Sequence, residues 1–366
     1  MRNVTLLGTG LIGGSIGLGL RRAFPGVNLV GYDRDQESVD EALERGAISR
    51  ASQDPADAAA GAELVVIAVP LGQVQPLLDS IAEAVDRSAT LTDVGSAKAE
   101  MVLAGQAAVG GRFVGGHPMA GSERRGIEAA DPDLFQDAAW ILTPTPVTSS
   151  GAYAAASQLA TTLGARVVAV DPSEHDSLVA RLSHVPQITA SALVDMASRA
   201  GDREALLGLA GGGFRDVTRI AASDPGLWIS ILRSNRAAVL HSLRRFGDSL
   251  GDAATLIENE RWDELEAWLS RSRTARLELF AKPDIDGEPT ALSLMVPDRP
   301  GVLAEVTTEA GKLGANIEDL RIVHSTEGGR GRLELVVAGS DEAEALSKAL
   351  EARGYHVDHP DIDFTT

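Results

Sequence analysis

Val4-Thr5-Leu6-Leu7-Gly8-Thr9-Gly10-Leu11-Ile12-Gly13 decides the fold of the first half of this chain. A short apolar run meets three glycines at G-x-G-x-x-G spacing, and a helical stretch continues to about residue 23. A second strand-like run, Asn28-Leu29-Val30-Gly31-Tyr32, ends at Asp33, twenty residues beyond Gly13. Strand, glycine turn, helix, strand and acid follow one another as in a dinucleotide-binding unit. Gly8 allows the tight turn, and Gly10 lets the backbone approach a pyrophosphate at the positive helix N-terminus. Gly13 lets helix and strand pack closely, and Leu11 and Ile12 complete the turn. Asp33 is placed to accept hydrogen bonds from the adenosine ribose, which favours NAD over NADP; Arg34, directly after it, could soften that preference.

Working outward, residues 63–69 form a near-continuous apolar run, as expected of a buried parallel strand. Val69 and Pro70 end it at the carboxyl edge, where ligands sit in open α/β sheets. A further strand closes in Asp93-Val94-Gly95-Ser96-Ala97-Lys98. Ser96 reads equally as a helix N-cap or as a hydroxyl at the mouth of the sheet. The stretch Gly115-Gly116-His117-Pro118-Met119-Ala120-Gly121-Ser122-Glu123 reads as a turn holding one imidazole. Two more strands, at 137–143 and 166–170, flank an alanine-rich helix and carry an α/β Rossmann-type NAD-binding domain to residue 171.

From residue 172 to 281 the pattern is helix after helix, an all-α substrate and dimerisation domain. Pro172-Ser173-Glu174-His175-Asp176 reads as a helix start; Pro186, in Ser183-His184-Val185-Pro186-Gln187, kinks a helix or begins a new one. Asp224 N-caps a helix with Pro225 in its first position. Long helices are expected at 227–250 and 253–279. Residues 282–289, polar with two prolines, form a linker. Residues 290–366 then alternate as βαββαβ, a ferredoxin-like sandwich.

Composition bounds the partners. The chain has 366 residues, 33 basic and 52 acidic, for a formal charge of −19, which disfavours nucleic acid and anionic membranes. No cysteine is present, so disulfides, thiol catalysis and thiolate metal sites are excluded. Seven histidines occur without H-E-x-x-H spacing, and no metal is expected. No apolar run approaches the ~20 residues of a membrane span. The glycines after Leu7 argue against a signal peptide, and a cytoplasmic location is expected.

A nicotinamide enzyme needs a base and substrate anchors beside its cofactor. His117 is the best base, because imidazole titrates near neutrality, although a lone His between Gly and Pro is commonly a loop residue. Arg219 is the best anion anchor, its alternative being a surface salt bridge with Asp216 or Asp224. His184, on an apolar helix, reads as a core histidine.

Over residues 3–279 the chain resembles the prephenate/arogenate dehydrogenases of tyrosine biosynthesis. The resemblance rests on Gly8-Thr9-Gly10-Leu11-Ile12-Gly13-Gly14-Ser15, Asp93-Val94-Gly95-Ser96-Ala97-Lys98, Gly116-His117-Pro118-Met119-Ala120-Gly121, Ser183-His184-Val185-Pro186 and Gly213-Phe214-Arg215-Asp216-Val217-Thr218-Arg219-Ile220-Ala221, which leads to Asp224-Pro225 and Trp228. The third unit resembles an ACT domain at Pro297-Asp298-Arg299-Pro300-Gly301-Val302-Leu303 and Gly314-Ala315-Asn316-Ile317.

The resemblance implies an NAD-dependent homodimer that oxidatively decarboxylates prephenate to 4-hydroxyphenylpyruvate. It implies that His117 accepts the ring-hydroxyl proton, Ser96 holds that hydroxyl or orients His117, and Arg219 binds a carboxylate. Glu123 becomes a polar gate paired with Arg215, and His184 a structural neighbour. Many relatives have a second His where Gln187 stands, which leaves prephenate and arogenate, with keto and amino tails, both open as substrates. The ACT domain implies L-tyrosine as regulator, with Gly301 and Asn316 at the ligand, or a module that only dimerises. A reading from another class is a non-catalytic NAD and amino-acid sensor; the joint presence of His117, Ser96 and Arg219 argues against it.

Overall fold

The computed structural model describes residues 1–120, 124, 126–199, 210–279, 290–297, 302–324 and 330–359. The chain divides into two compact units, Met1–Gly251 and Asp252–Thr366.

The first unit is built on an eight-stranded sheet. Its strands are β1 (Asn3–Leu7), β2 (Asn28–Tyr32), β3 (Arg50–Ala51), β4 (Leu64–Ile67), β5 (Thr90–Asp93), β6 (Phe113–Pro118), β7 (Ala139–Thr143) and β8 (Arg166–Ala169), in the spatial order 3-2-1-4-5-6-7-8. Neighbours from β3 to β6 are parallel. β7 runs antiparallel to β6, with His117 opposite Ile141, and β8 is parallel to β7. Side-chain alternation explains why two adjacent strands serve two cores. Leu6, Leu64 and Val66 join one apolar cluster with Ile16 and Leu20 of helix α1 (Leu11–Ala23). Leu7, Val65 and Ile67 join the other, on the opposite face. Helices on both faces are what a parallel sheet with apolar strands requires.

Four helices follow α1 along the sheet: α2 (Gln36–Glu44), α3 (Pro55–Ala59), α4 (Val74–Ile81) and α5 (Ala99–Val109). After α6 (Ser150–Thr162) and β8 comes α7 (Pro172–Val179). Asp171 caps α7, accepting from the amides of Ser173 and Glu174, with Pro172 in the first turn where its missing N–H costs nothing. Of the two readings of Pro186, the structure has it in the first turn of a new helix, α8 (Val185–Ser198), which follows directly on a π-turn, Ala180–His184. A widened turn relieves the clash of a proline ring with the carbonyl four residues back. Helices α9 (Gly212–Thr218), α10 (Pro225–Ser234), α11 (Arg236–Glu258) and α12 (Trp262–Leu279) complete the helical part. The long helix expected from 227 to 250 is broken at Asn235, whose buried side chain is drawn into the hydrogen-bond network described below.

In the second unit, β9 (Thr290–Pro297), α13 (Val302–Leu313), β10 (Ile317–His324), β11 (Arg330–Val337), α14 (Ser340–Ala352) and β12 (His356–Asp358) form an antiparallel sheet of order 10-11-9-12. That is the ferredoxin-like order expected of βαββαβ. Leu292 and Leu294 of β9, Leu333 and Leu335 of β11, Val306 of α13 and Leu346 of α14 fill its core.

Candidate active site

Two clusters occupy the carboxyl ends of the central strands. The first is the glycine turn between β1 and α1. Gly8 has φ +104°, and a Cβ there would meet the Ala68 carbonyl oxygen at 2.3 Å. A Cβ on Gly13 would lie 1.9 Å from the Gly8 carbonyl oxygen, so this glycine is required for packing alone. Gly10 differs: among the described residues, a Cβ there would meet no atom within 4 Å. It is also the N-cap of α1, with no side chain bonded to the first-turn amides. Those amides and the positive helix end therefore face open space, the cradle a pyrophosphate fills. The Asp33 carboxylate closes the side of this turn, accepting from Thr9 N (2.9 Å) and Asp35 N (3.1 Å). Arg34 is exposed, Val69 packs on the core beside β4, and Pro70 is exposed at the strand end. These residues fit a dinucleotide.

The second cluster surrounds His117. The sequence reading placed His117 in a turn; it lies within β6, half-buried. The preceding glycines serve the packing of that strand. A Cβ on Gly116 would lie 2.5 Å from the Asp93 carbonyl oxygen, and one on Gly115 2.5 Å from Thr143 Oγ1. His117 Nδ1 lies 2.9 Å from His175 Nε2, and His175 Nδ1 lies 2.8 Å from Asp176 Oδ1. A carboxylate only accepts, so His175 Nδ1 carries a proton; in neutral His175 the Nε2 then accepts from His117 Nδ1–H. His117 Nε2 is then left with its lone pair, the form a general base needs.

Asp176 is held in turn. Burial pushes its carboxyl up, but hydrogen bonds from His175 and from the amides of Ala99 and Lys98 outweigh burial and keep it below the usual range. Those amide bonds are 2.7 Å (Lys98 N) and 2.9 Å (Ala99 N). They cap α5 from a distant helix, so Ser96 does not cap it. Ser96 is half-buried, and its hydroxyl makes no hydrogen bond among the described residues. Lys98 is fully buried and paired with Asp93. Removing one partner of such a pair strands the other at a cost of about 3–5 kcal/mol.

Burial first, then the Lys98 charge, then His175 and His184 hold the His117 imidazole well below its ordinary value of 6.5. His184 is buried, stacks edge-on to Trp228 at 5.9 Å, and faces Asn235 Nδ2 through its Nδ1 at 3.3 Å. Burial lowers it to about 4, against the opposing Asp176 charge. Asn235 Nδ2 also donates to the Asp176 carbonyl at 2.8 Å, tying α10 to α7.

Comparisons with known proteins identify the domains. Residues 16–169 match the nucleotide-binding domain of prephenate dehydrogenase, residues 171–271 its dimerization domain, and residues 292–353 an AHAS small subunit-like ACT domain. Prephenate dehydrogenase of Bacillus subtilis is 33% identical over 356 residues, 96% of each chain. The chain belongs to the prephenate dehydrogenase family. Its members with solved structures include the Aquifex aeolicus prephenate dehydrogenase, crystallised with hydroxyphenyl propionate and NAD+. That structure is 32% identical, with TM-score 0.71 and coverage of 76% of this chain and 98% of that one. Arogenate dehydrogenase of Synechocystis is 31% identical, with TM-score 0.69 and coverage of 76% and 100%. Family membership makes the chain an NAD-dependent oxidoreductase.

Of the expected site residues, His117 and His184 belong to one network. Arg219 opens the 3-10 turn Arg219–Ala222, which packs against α8, and is exposed, as is Arg215 of α9. Gln187 on α8 is buried, and its Oε1 has no hydrogen-bond partner among the described residues. Asn316, exposed just before β10, accepts from Ala338 N through its carbonyl at 3.0 Å. Glu123 and Gly301 lie outside the described residues. His175, Asp176, Asp93, Lys98 and Asn235 carry the network and were not singled out from sequence. One signal was available: His175-Asp176, adjacent residues one turn after the Asp171-Pro172 cap, in a chain with seven histidines.

Proposed function

We propose that this chain oxidatively decarboxylates prephenate to 4-hydroxyphenylpyruvate, with His117 as the base. The observation that carries the proposal is the chain of bonds His117–His175–Asp176, which presents His117 Nε2 as an acceptor. Bound at the glycine turn, NAD supplies the hydride acceptor. His117 takes the proton of the ring hydroxyl as hydride leaves the carbon that bears it. The substrate's ring carboxylate departs as CO2, and aromatisation drives the step. Charge that develops on His117 is met by His175, itself bonded to the Asp176 carboxylate. Ser96 offers its hydroxyl to the same substrate oxygen, and Arg219 binds a substrate carboxylate bidentately. The family resemblance gives Glu123, with Arg215, the role of a polar gate.

The buried Gln187, whose Oε1 has no partner among the described residues, is the candidate contact for the substrate tail. An amide offers both donors and an acceptor, so arogenate is the second reading. The ACT domain supports feedback by L-tyrosine, with Gly301 and Asn316 at its ligand. Functionally we divide the chain into residues 1–171, 172–281 and 290–366. The dimerization-domain match and the exposed Val217, Leu227, Ile229 and Leu250 support a homodimer that covers these apolar side chains. Among the described residues, no helix is long and apolar enough to cross a membrane. NADH formation measured with prephenate and with arogenate, each with and without tyrosine, tests substrate and regulator together. Turnover of neither substrate would overturn the proposal.

A further inference from the structure

The D-V-G-S-A-K stretch contributes Ser96 to the reading above, yet the structure puts more weight on its two ends. The Asp93 carboxylate accepts from Gly95 N at 2.8 Å and from Gly116 N at 3.1 Å. Lys98 Nζ, paired with that carboxylate, donates to the Gly116 carbonyl at 2.7 Å. Both polar groups of Gly116, the residue before His117, are therefore fixed by one ion pair. The second connection starts from the same lysine. Its backbone amide donates to Asp176, Asp176 holds His175, and His175 holds His117 Nδ1. Lys98 thus closes a ring through His117: its ammonium sets the peptide that carries the imidazole, and its amide helps set the group that orients the ring.

We propose that Lys98 is the positioning residue for His117: its ammonium fixes the peptide that carries the imidazole, while its main-chain amide, which the variants below retain, joins the Asp176–His175 hold on Nδ1. A fully buried ammonium is an expensive way to join two strands if joining them is all it does. Apolar side chains of similar volume would serve that purpose at lower cost. Lys98 also bears on the basicity of His117, since a nearby positive charge disfavours an imidazolium. Among the described residues, the charged and titratable groups around His117 are Lys98 and Asp93 at the β5 end, His175 and Asp176 on α7, and His184 in the π-turn.

The effect on turnover rests on His117 being the base; the effect on the imidazole does not. The test uses the full chain and two variants. Lys98→Met leaves Asp93 unpaired and threatens folding, so Asp93→Asn/Lys98→Met, which removes both charges, accompanies it. Three quantities are read on folded protein: kcat and KM for prephenate and NAD, the acid limb of kcat against pH, and the His117 titration followed by NMR on labelled histidine. The double variant is expected to keep both KM values within about twofold while kcat falls about 10- to 100-fold, the range that misplacing a catalytic group produces. The His117 titration and the acid limb are both expected to move up in Lys98→Met as the lysine charge is lost, and to move in the same direction but less far in the double variant, which also loses the opposing Asp93 charge. A shifted titration without a shifted acid limb would support the hold on His117 and tell against His117 as the base. A folded double variant with unchanged kcat and unchanged titration would overturn the proposal. So would a fall in kcat with an unmoved titration and rising KM, which a purely structural pair predicts.

Discussion

The glycine turn and the histidine network sit on one sheet but are built by different means. The turn is made of consecutive residues, and its active groups are backbone amides and the space that absent side chains leave. The network is made of side chains from β5, β6, α7, the π-turn and the end of α10. Hydrogen bonds relay from His117 Nδ1 through His175 to Asp176 and leave His117 Nε2 free among the described residues. A backbone site depends on shape and fails when volume is added. A relayed side-chain site depends on proton order and fails when one acceptor is exchanged for an isostere.

The largest effect is expected where the network ends. His117→Asn keeps volume and polarity but has no basic nitrogen, and kcat is expected to fall about 10²- to 10⁴-fold, the usual share of a general base. NAD affinity, measured by fluorescence titration, should stay at the wild-type value because the turn is untouched. Near-normal turnover would remove His117 from the chemistry.

Next comes Asp176→Asn. An amide in place of the carboxylate presents either an N–H or a weaker acceptor to His175, so the tautomer that frees His117 Nε2 is no longer enforced. A loss of about 10²-fold in kcat with little change in either KM is expected. A rise in KM without a fall in kcat would mean that Asp176 serves substrate binding instead.

The turn is tested by two glycines of opposite kind. Gly10→Val points into space that protein does not fill, so the melting temperature should hold while the KM for NAD rises, about tenfold for the loss of one or two phosphate contacts. Gly13→Ala places a methyl 1.9 Å from the Gly8 carbonyl oxygen and should lower the melting temperature as well. If both variants lower stability equally, the open face at Gly10 is not a ligand cradle.

The same contrast explains what the sequence made legible. G-x-G-x-x-G followed by Asp33 could be read directly, because each residue acts through its own backbone or at a fixed offset. The order of the ACT sheet followed from alternation alone. His117 was identifiable by type, but its place in β6 was obscured by Gly115 and Gly116, which resemble turn glycines and are close-packing glycines. Asp176 could not be connected to Lys98, 78 residues away, by any local pattern. Lys98 itself left a trace: the chain has 33 basic residues, of which only four are lysine. A lysine just before the start of α5 is unusual in so arginine-rich a chain, and its compact ammonium differs in kind from a guanidinium.

The smallest expected effect concerns stability and tests whether the network's far end is also built for neutrality. His184 has a folded-state value of about 4 against 6.5 for a free imidazole. Between those values the unfolded chain takes up a proton that the folded chain refuses, so lowering the pH favours unfolding. The contribution is intact above pH 6.5 and is lost as the pH falls toward 4. His117, also depressed, acts in the same direction. His184→Gln removes one titrating group and keeps a side-chain acceptor for Asn235. Its urea midpoint should be somewhat lower than wild type at pH 7, but should fall less steeply from pH 7 to pH 5. Parallel midpoint curves for the two proteins would mean that His184 ionises as freely in the fold as outside it. The Asn235 contact would then be packing, and the network would end at Asp176.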